Sequence, residues 1–134
     1  MKKLIAVFAV ILVLSVALAA CSGGSSSASA NTLDVTMSEY AFSPAALNVT
    51  AGSTVTVNLK NTGAVQHNFV VMSTPVTGTY TDAAKANILF DSGPIDAGSS
   101  KTVTFTAPAA GTYQVICTQA GHLEQGMVGS LVSK

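Results

Sequence analysis

Four side chains in this sequence could act together chemically: His67, Cys117, His122 and Met127. The last three form a C-x4-H-x4-M run that leaves a β-like stretch at Tyr113-Gln114-Val115-Ile116. Gly121 and Gly126 lie inside this run and give the backbone the freedom that two tight loops require, so the three side chains can return to one spot. His67 comes from a separate segment. Two imidazoles and a thiolate in one plane, with a weak axial thioether, make the donor set of a blue copper site.

Taken singly, these residues say less. A lone His on a strand reads as a hydrogen-bonded core histidine, and a lone Met before an apolar strand reads as core. Cys117 on its own fits an intermolecular disulfide, an inert buried thiol or a metal ligand. It also fits a nucleophile with a His as base, but no orienting or oxyanion motif beyond Asn68 supports that hydrolase reading. Zinc in the same pocket is a further reading, because imidazole and thiolate suit it as well.

The N-terminal region explains why Cys117 needs a role. Lys2 and Lys3 precede an apolar run from Leu4 to Ala20 broken only by Ser15, the pattern of a secretory signal. The run ends in Leu18-Ala19-Ala20-Cys21, which resembles the lipobox of bacterial lipoproteins. Residues 1–20 are therefore expected to be a cleaved signal peptide, with Cys21 carrying the lipid. Residues 21–31, rich in Ser, Gly and Ala, are expected to be a flexible tether, and residues 32–134 the folded domain. This places the protein outside the cytoplasm, lipid-anchored at the periplasmic or outer face of a membrane. Exported proteins usually pair their cysteines, yet with Cys21 lipidated Cys117 has no partner in its own chain.

Composition narrows the partners. The chain has 134 residues, 49% hydrophobic and 9% charged, with six basic residues, all Lys, against six acidic ones. That is enough for one small domain, and it lacks the basic footprint that nucleic-acid binding requires.

From Thr32 onward the pattern has period two. Thr54 to Lys60 and Lys101 to Thr106 alternate cleanly, which puts Val55, Val57, Leu59, Val103 and Phe105 on buried faces. Further strands are expected at Leu33–Ser38, Ala46–Val49, His67–Met72, Ile88–Phe90, Thr112–Cys117 and Val128–Val132. Gly- and Pro-bearing turns separate them. About eight short strands predict an all-β fold, an antiparallel Greek-key sandwich. One short helix is expected at Asp82–Asn87, with Thr81 or Asp82 as its cap. Tyr40, Phe42 and Tyr113 read as core aromatics.

Residues 32–134 resemble a cupredoxin of the plastocyanin/azurin type. The likeness rests on the ligand run, Tyr40-Ala41-Phe42-Ser43-Pro44, the Val49-Thr50-Ala51-Gly52 turn, the strand to Asn61-Thr62-Gly63, and Val65-Gln66-His67-Asn68-Phe69-Val70-Val71. Within that family, Gln66-His67-Asn68 and the ligand run most resemble the auracyanins, membrane-associated blue copper proteins. Phe69 departs from the family pattern, which has Trp there.

The resemblance implies one type 1 copper ion held by His67, Cys117 and His122, with Met127 axial. It implies a weak contact from the Gln66 carbonyl, and hydrogen bonds across the ligand loops from Asn68 and Thr118. It also implies a monomeric one-electron carrier rather than an enzyme, cycling Cu(I)/Cu(II) in a respiratory or photosynthetic chain. Its partners are then redox proteins such as cytochromes or membrane electron-transfer complexes, met through an apolar rim of Ala64, Val65, Ala120 and Leu123 around His122. The alternative is a lipoprotein that stores or delivers copper.

Overall fold

The computed structural model describes residues 31–134. The expected signal segment, the lipidation site Cys21 and nearly all of the expected tether lie outside the described residues.

Nine strands form: β1 (Thr32–Ser38), β2 (Ala41–Ser43), β3 (Ala46–Val49), β4 (Thr54–Asn61), β5 (Val70–Met72), β6 (Ile88–Asp91), β7 (Ser100–Thr106), β8 (Gly111–Ile116) and β9 (Val128–Ser133). They build two facing sheets, ordered β2-β1-β4-β7 and β3-β9-β8-β5-β6. Alternation puts one face of each strand inward: Val55, Val57 and Leu59 of β4 are buried, as are Val35 and Met37 of β1. Val103 and Phe105 of β7 pack on the same core but stay partly exposed, as expected at a sheet edge.

The sandwich is all-β as expected, but its sheets are mixed rather than antiparallel. β1 runs parallel to β4, and β3 runs parallel to β9. The cause is the short strand β2, which sequence patterning misses. β2 folds back antiparallel on β1, and the chain then crosses at Ser43-Pro44-Ala45 to the other sheet as β3. The turn at Thr50–Ser53 returns it to the first sheet, and β4 therefore enters beside β1 in the same direction.

The second sheet is covered on both faces where it matters. Every residue of β5 is buried: Val71 faces the main core, while Val70 and Met72 face a smaller cluster with Ile116 and Leu123. Val76, Tyr80, Ala84 and Ile88 roof that cluster, carried by the Met72–Ile88 connection and its 3-10 helix at Asp82–Asn87. Thr81 is the helix N-cap, though without a side-chain cap bond. β5 begins at Val70 rather than at His67, because His67 makes only an isolated bridge with Ile95.

Candidate metal centre

Three neighbouring strands of the second sheet deliver the site. β8 is central, with β5 and β9 on either side. Cys117 follows the last residue of β8, Met127 precedes the first residue of β9, and His67 lies three residues before β5. The Cys117 N–H donates to the Met127 carbonyl at 3.4 Å, so the β8–β9 ladder fixes the spacing of these two residues before their side chains are considered.

The loop between them is a compact series of turns. The His122 N–H donates to the Gln119 carbonyl (3.0 Å), and the Met127 N–H donates back to the His122 carbonyl (3.0 Å). Gly121 and Gly126 have φ of 82° and 89°, the left-handed region in which a side chain is strained. These turns bring the His122 ring over Cys117. His67 arrives from the other side, held by reciprocal backbone bonds with Ile95 of 3.1 and 2.9 Å.

The donor atoms converge. His67 Nδ1 and His122 Nδ1 are 3.1 Å apart, and Cys117 Sγ lies 3.3 Å from His122 Nδ1 and 3.9 Å from His67 Nδ1. A point equidistant from all three lies about 2 Å from each, close to the lengths of metal–nitrogen and metal–thiolate bonds. His67 and Cys117 are fully buried, and His122 is 8% exposed. These three form the candidate metal-binding group found among the described residues. Met127, also fully buried, belongs to the same core cluster as Cys117.

The electrostatics suit a cation. Burial pushes His67 below its ordinary value, and the neighbouring His122 acts in the same direction, so His67 favours the neutral form that ligates. Burial pushes the Cys117 thiol up, against a lowering by the backbone N–H groups of Asn68 and Gln119. Proton loss from such a thiol requires a positive charge nearby, which a bound metal supplies.

A latch closes behind the donors. Asn68 Nδ2 donates to Thr118 Oγ1 (2.8 Å), and the Thr118 N–H donates to Asn68 Oδ1 (2.8 Å), which ties the His67 segment to the Cys117 segment. The Asn68 N–H points at Cys117 Sγ at 3.5 Å, where it stabilises charge on the sulfur. The Gln66 side chain points away from the donors, accepting from Gln119 Nε2 and donating to Asp96.

Two expectations are corrected. Tyr40 is not a core aromatic: it is 41% exposed and meets the His122 ring edge-on, with centroids 5.0 Å apart. Leu123 is not part of an exposed rim: it is 7% exposed and belongs to the cluster beneath the Met72–Ile88 connection. Ala64, Val65 and Ala120 do face solvent, as does Tyr40.

Sequence reasoning also missed Glu39 and Asp91. The Glu39 carboxylate lies 3.5 Å from His67 Nε2, and Asp91 accepts from Asn68 Nδ2 at 3.3 Å. Both act over more than twenty residues of chain, where no spacing rule points. The only sequence cue to Glu39 is an acidic residue directly before the Tyr40–Pro44 block.

Comparison with known proteins agrees with this geometry. The family model described as Cupredoxin-like domain matches residues 9–132. The chain is 37% identical to auracyanin-A of Chloroflexus aurantiacus over 94% of each sequence. The solved structure of that blue copper protein superposes with a TM-score of 0.66, covering 77% of this chain and 98% of that one. The reduced auracyanin of Roseiflexus castenholzii gives a TM-score of 0.68 at 30% identity, over 78% of this chain and 97% of its own. A copper-resistant cuproprotein, CopI, of Rubrivivax gelatinosus is 30% identical over 81% of this chain and 70% of its own length. Sequence, fold and donor chemistry thus converge, and this chain belongs to the cupredoxin-like family of copper proteins.

Proposed function

We propose that this protein is a one-electron carrier, with His67, Cys117 and His122 as the strong copper ligands and Met127 as the axial one. The observation that carries the reading is the buried donor triangle, already spaced for a metal by a rigid sheet and a hydrogen-bonded latch. When bound, copper supplies the Cu(I)/Cu(II) couple. The backbone bonds and the Asn68–Thr118 latch would hold the donors in one geometry for both states; the chain excludes water from two of them and brings the His122 ring close to the surface beside Tyr40. A site that does not rearrange suits electron transfer rather than bond-making.

Electrons then pass through His122, and a partner contacts the face formed by Tyr40, Ala64, Val65 and Ala120. Cytochromes or membrane electron-transfer complexes of a respiratory or photosynthetic chain fit this role. Lipid on Cys21, following removal of residues 1–20, keeps the carrier at an extracytoplasmic membrane surface. The motif at Leu18–Cys21 supports that anchoring, and mass spectrometry of the membrane fraction tests it: a wild-type protein recovered without lipid refutes it.

The central experiment is visible and paramagnetic-resonance spectroscopy of the oxidised protein combined with voltammetry. An intense thiolate-to-Cu(II) band that bleaches and returns over many cycles without metal loss is expected. Similarity to a copper-resistant cuproprotein favours copper storage or delivery as a second reading. Rapid surrender of the metal to a mild chelator, with no reversible redox wave, would establish that reading instead.

A further inference from the structure

His67 presents its two ring nitrogens to different neighbours. Nδ1 faces Cys117 Sγ and His122 Nδ1, while Nε2 is a buried atom without a hydrogen-bond partner. A metal on Nδ1 leaves the proton of the neutral imidazole on Nε2, so that this N–H needs an acceptor. The charged atom facing it is Glu39 Oε1, at 3.5 Å. The same oxygen accepts the backbone N–H groups of Ala64 (2.7 Å) and Val65 (3.0 Å), which hold it beside the segment leading into His67. Gly63 leaves the space for it: a Cβ there would lie 2.8 Å from the carboxyl carbon of Glu39.

We infer that Glu39 is a positioning residue for the metal centre, accepting the His67 Nε2–H to complete a carboxylate–histidine–metal relay. The remaining gap to a normal N–H···O length is about half an ångström. In such a relay the carboxylate fixes the tautomer and orientation of the ring and raises its basicity. It also places one negative charge beyond the ring, which favours the more highly charged oxidation state of the ion. The inference rests on the copper reading only in requiring that a metal be held through His67 Nδ1.

The test compares wild type with Glu39→Gln, Glu39→Ala and Gly63→Ala, each confirmed as folded by circular dichroism. Cu(II), Cu(I) and Zn(II) affinities are measured by chelator competition, the reduction potential by voltammetry, and exchange of the His67 Nε2 proton by NMR of the zinc-loaded protein. Glu39→Gln keeps the shape and loses the charge, so it should weaken Cu(II) about tenfold more than Cu(I), the lower end of the range for such outer partners. In a one-electron couple that ratio raises the potential by about 59 mV. Glu39→Ala should in addition weaken zinc by about tenfold and speed exchange of the Nε2 proton by a similar factor. Gly63→Ala should reproduce the faster exchange with the carboxylate still present. Wild-type values of the Cu(II)/Cu(I) ratio and of proton exchange in both Glu39 variants would overturn the role of Glu39 while leaving the copper site standing. A wild-type protein that takes up no metal would overturn both.

Discussion

Asn68→Ala removes the latch between the two ligand-bearing segments, and its cost can be worked out from the bonds it breaks. The side chain is 4% exposed, donates to Thr118 Oγ1 and Asp91 Oδ1, and accepts the Thr118 N–H. Truncation leaves the Thr118 N–H without its acceptor and the Thr118 hydroxyl without its donor. An orphaned buried group costs about 1–3 kcal/mol. Thr118 is only half-buried, so water recovers part of the loss, and the sum is about 2–3 kcal/mol. For a domain of this size that corresponds to a fall in Tm of roughly 8–20 °C. Urea denaturation of the metal-free protein is the appropriate assay, since no ligand then masks the change, and the slope should match wild type. Asn68→Asp keeps the acceptor for Thr118 but sets a second carboxylate beside Asp91. Because it also loses the donor to Thr118 Oγ1, it should be destabilised as well, with like-charge repulsion added to the lost hydrogen bond. A loss below about 0.5 kcal/mol in Asn68→Ala, the level of ordinary surface substitutions, would refute the view that this amide organises the site.

Cys117→Ser should abolish the charge-transfer band and leave the β-sandwich intact by circular dichroism, since a hydroxyl replaces a soft thiolate poorly. Met127→Gln should keep the band and lower the potential, because a harder axial oxygen favours Cu(II); an unchanged potential would make Met127 a core residue alone. Leu123→Lys should destabilise the metal-free protein by about 3 kcal/mol or more in urea denaturation, since it buries an unpaired charge in the cluster beneath Tyr80 and Ala84. Val65→Lys, at an exposed position of the proposed partner face, should slow bimolecular electron exchange while leaving spectrum and stability near wild type. The wild-type rate should depend only weakly on salt, because the four Lys and six acidic residues that remain once residues 1–20 are removed form no dense single-sign field.

The sequence shows the strands where one face is buried and the other wet. β4 and β7 alternate so regularly that their inward residues can be named in advance, and the turn residues around them mark their ends. β5 is less readable, since with both faces covered its three residues carry no alternation to separate strand from approach. The parallel pairings are invisible because they depend on β2, three residues long and followed at once by a change of sheet. The donor set is legible because three of its members crowd into eleven residues with glycines between them, whereas Glu39 reaches its partners over twenty-five or more. Leu123 misleads for a local reason: one Leu among Gly, His and Glu reads as exposed, and only the roof supplied by Val76, Tyr80 and Ala84 buries it.

The placement of Cys117 directly after β8 makes the centre a gauge of strand register. Along β8 and beyond it, side chains alternate between two interiors: Val115 and Cys117 enter the main core, Ile116 the smaller cluster. A slip of one residue against β5 or β9 would turn the thiol toward the smaller cluster and present Ile116 or Thr118, according to its direction, to the two imidazoles. Such a chain could still satisfy most of its backbone bonds and bury a comparable amount of hydrocarbon. It could not assemble the thiolate and the two imidazoles around one ion. Metal capture is therefore selective for correctly aligned sheets, and the binding energy is withheld from compact but misaligned forms. The ion then proofreads the alignment of three strands as well as equipping the finished fold.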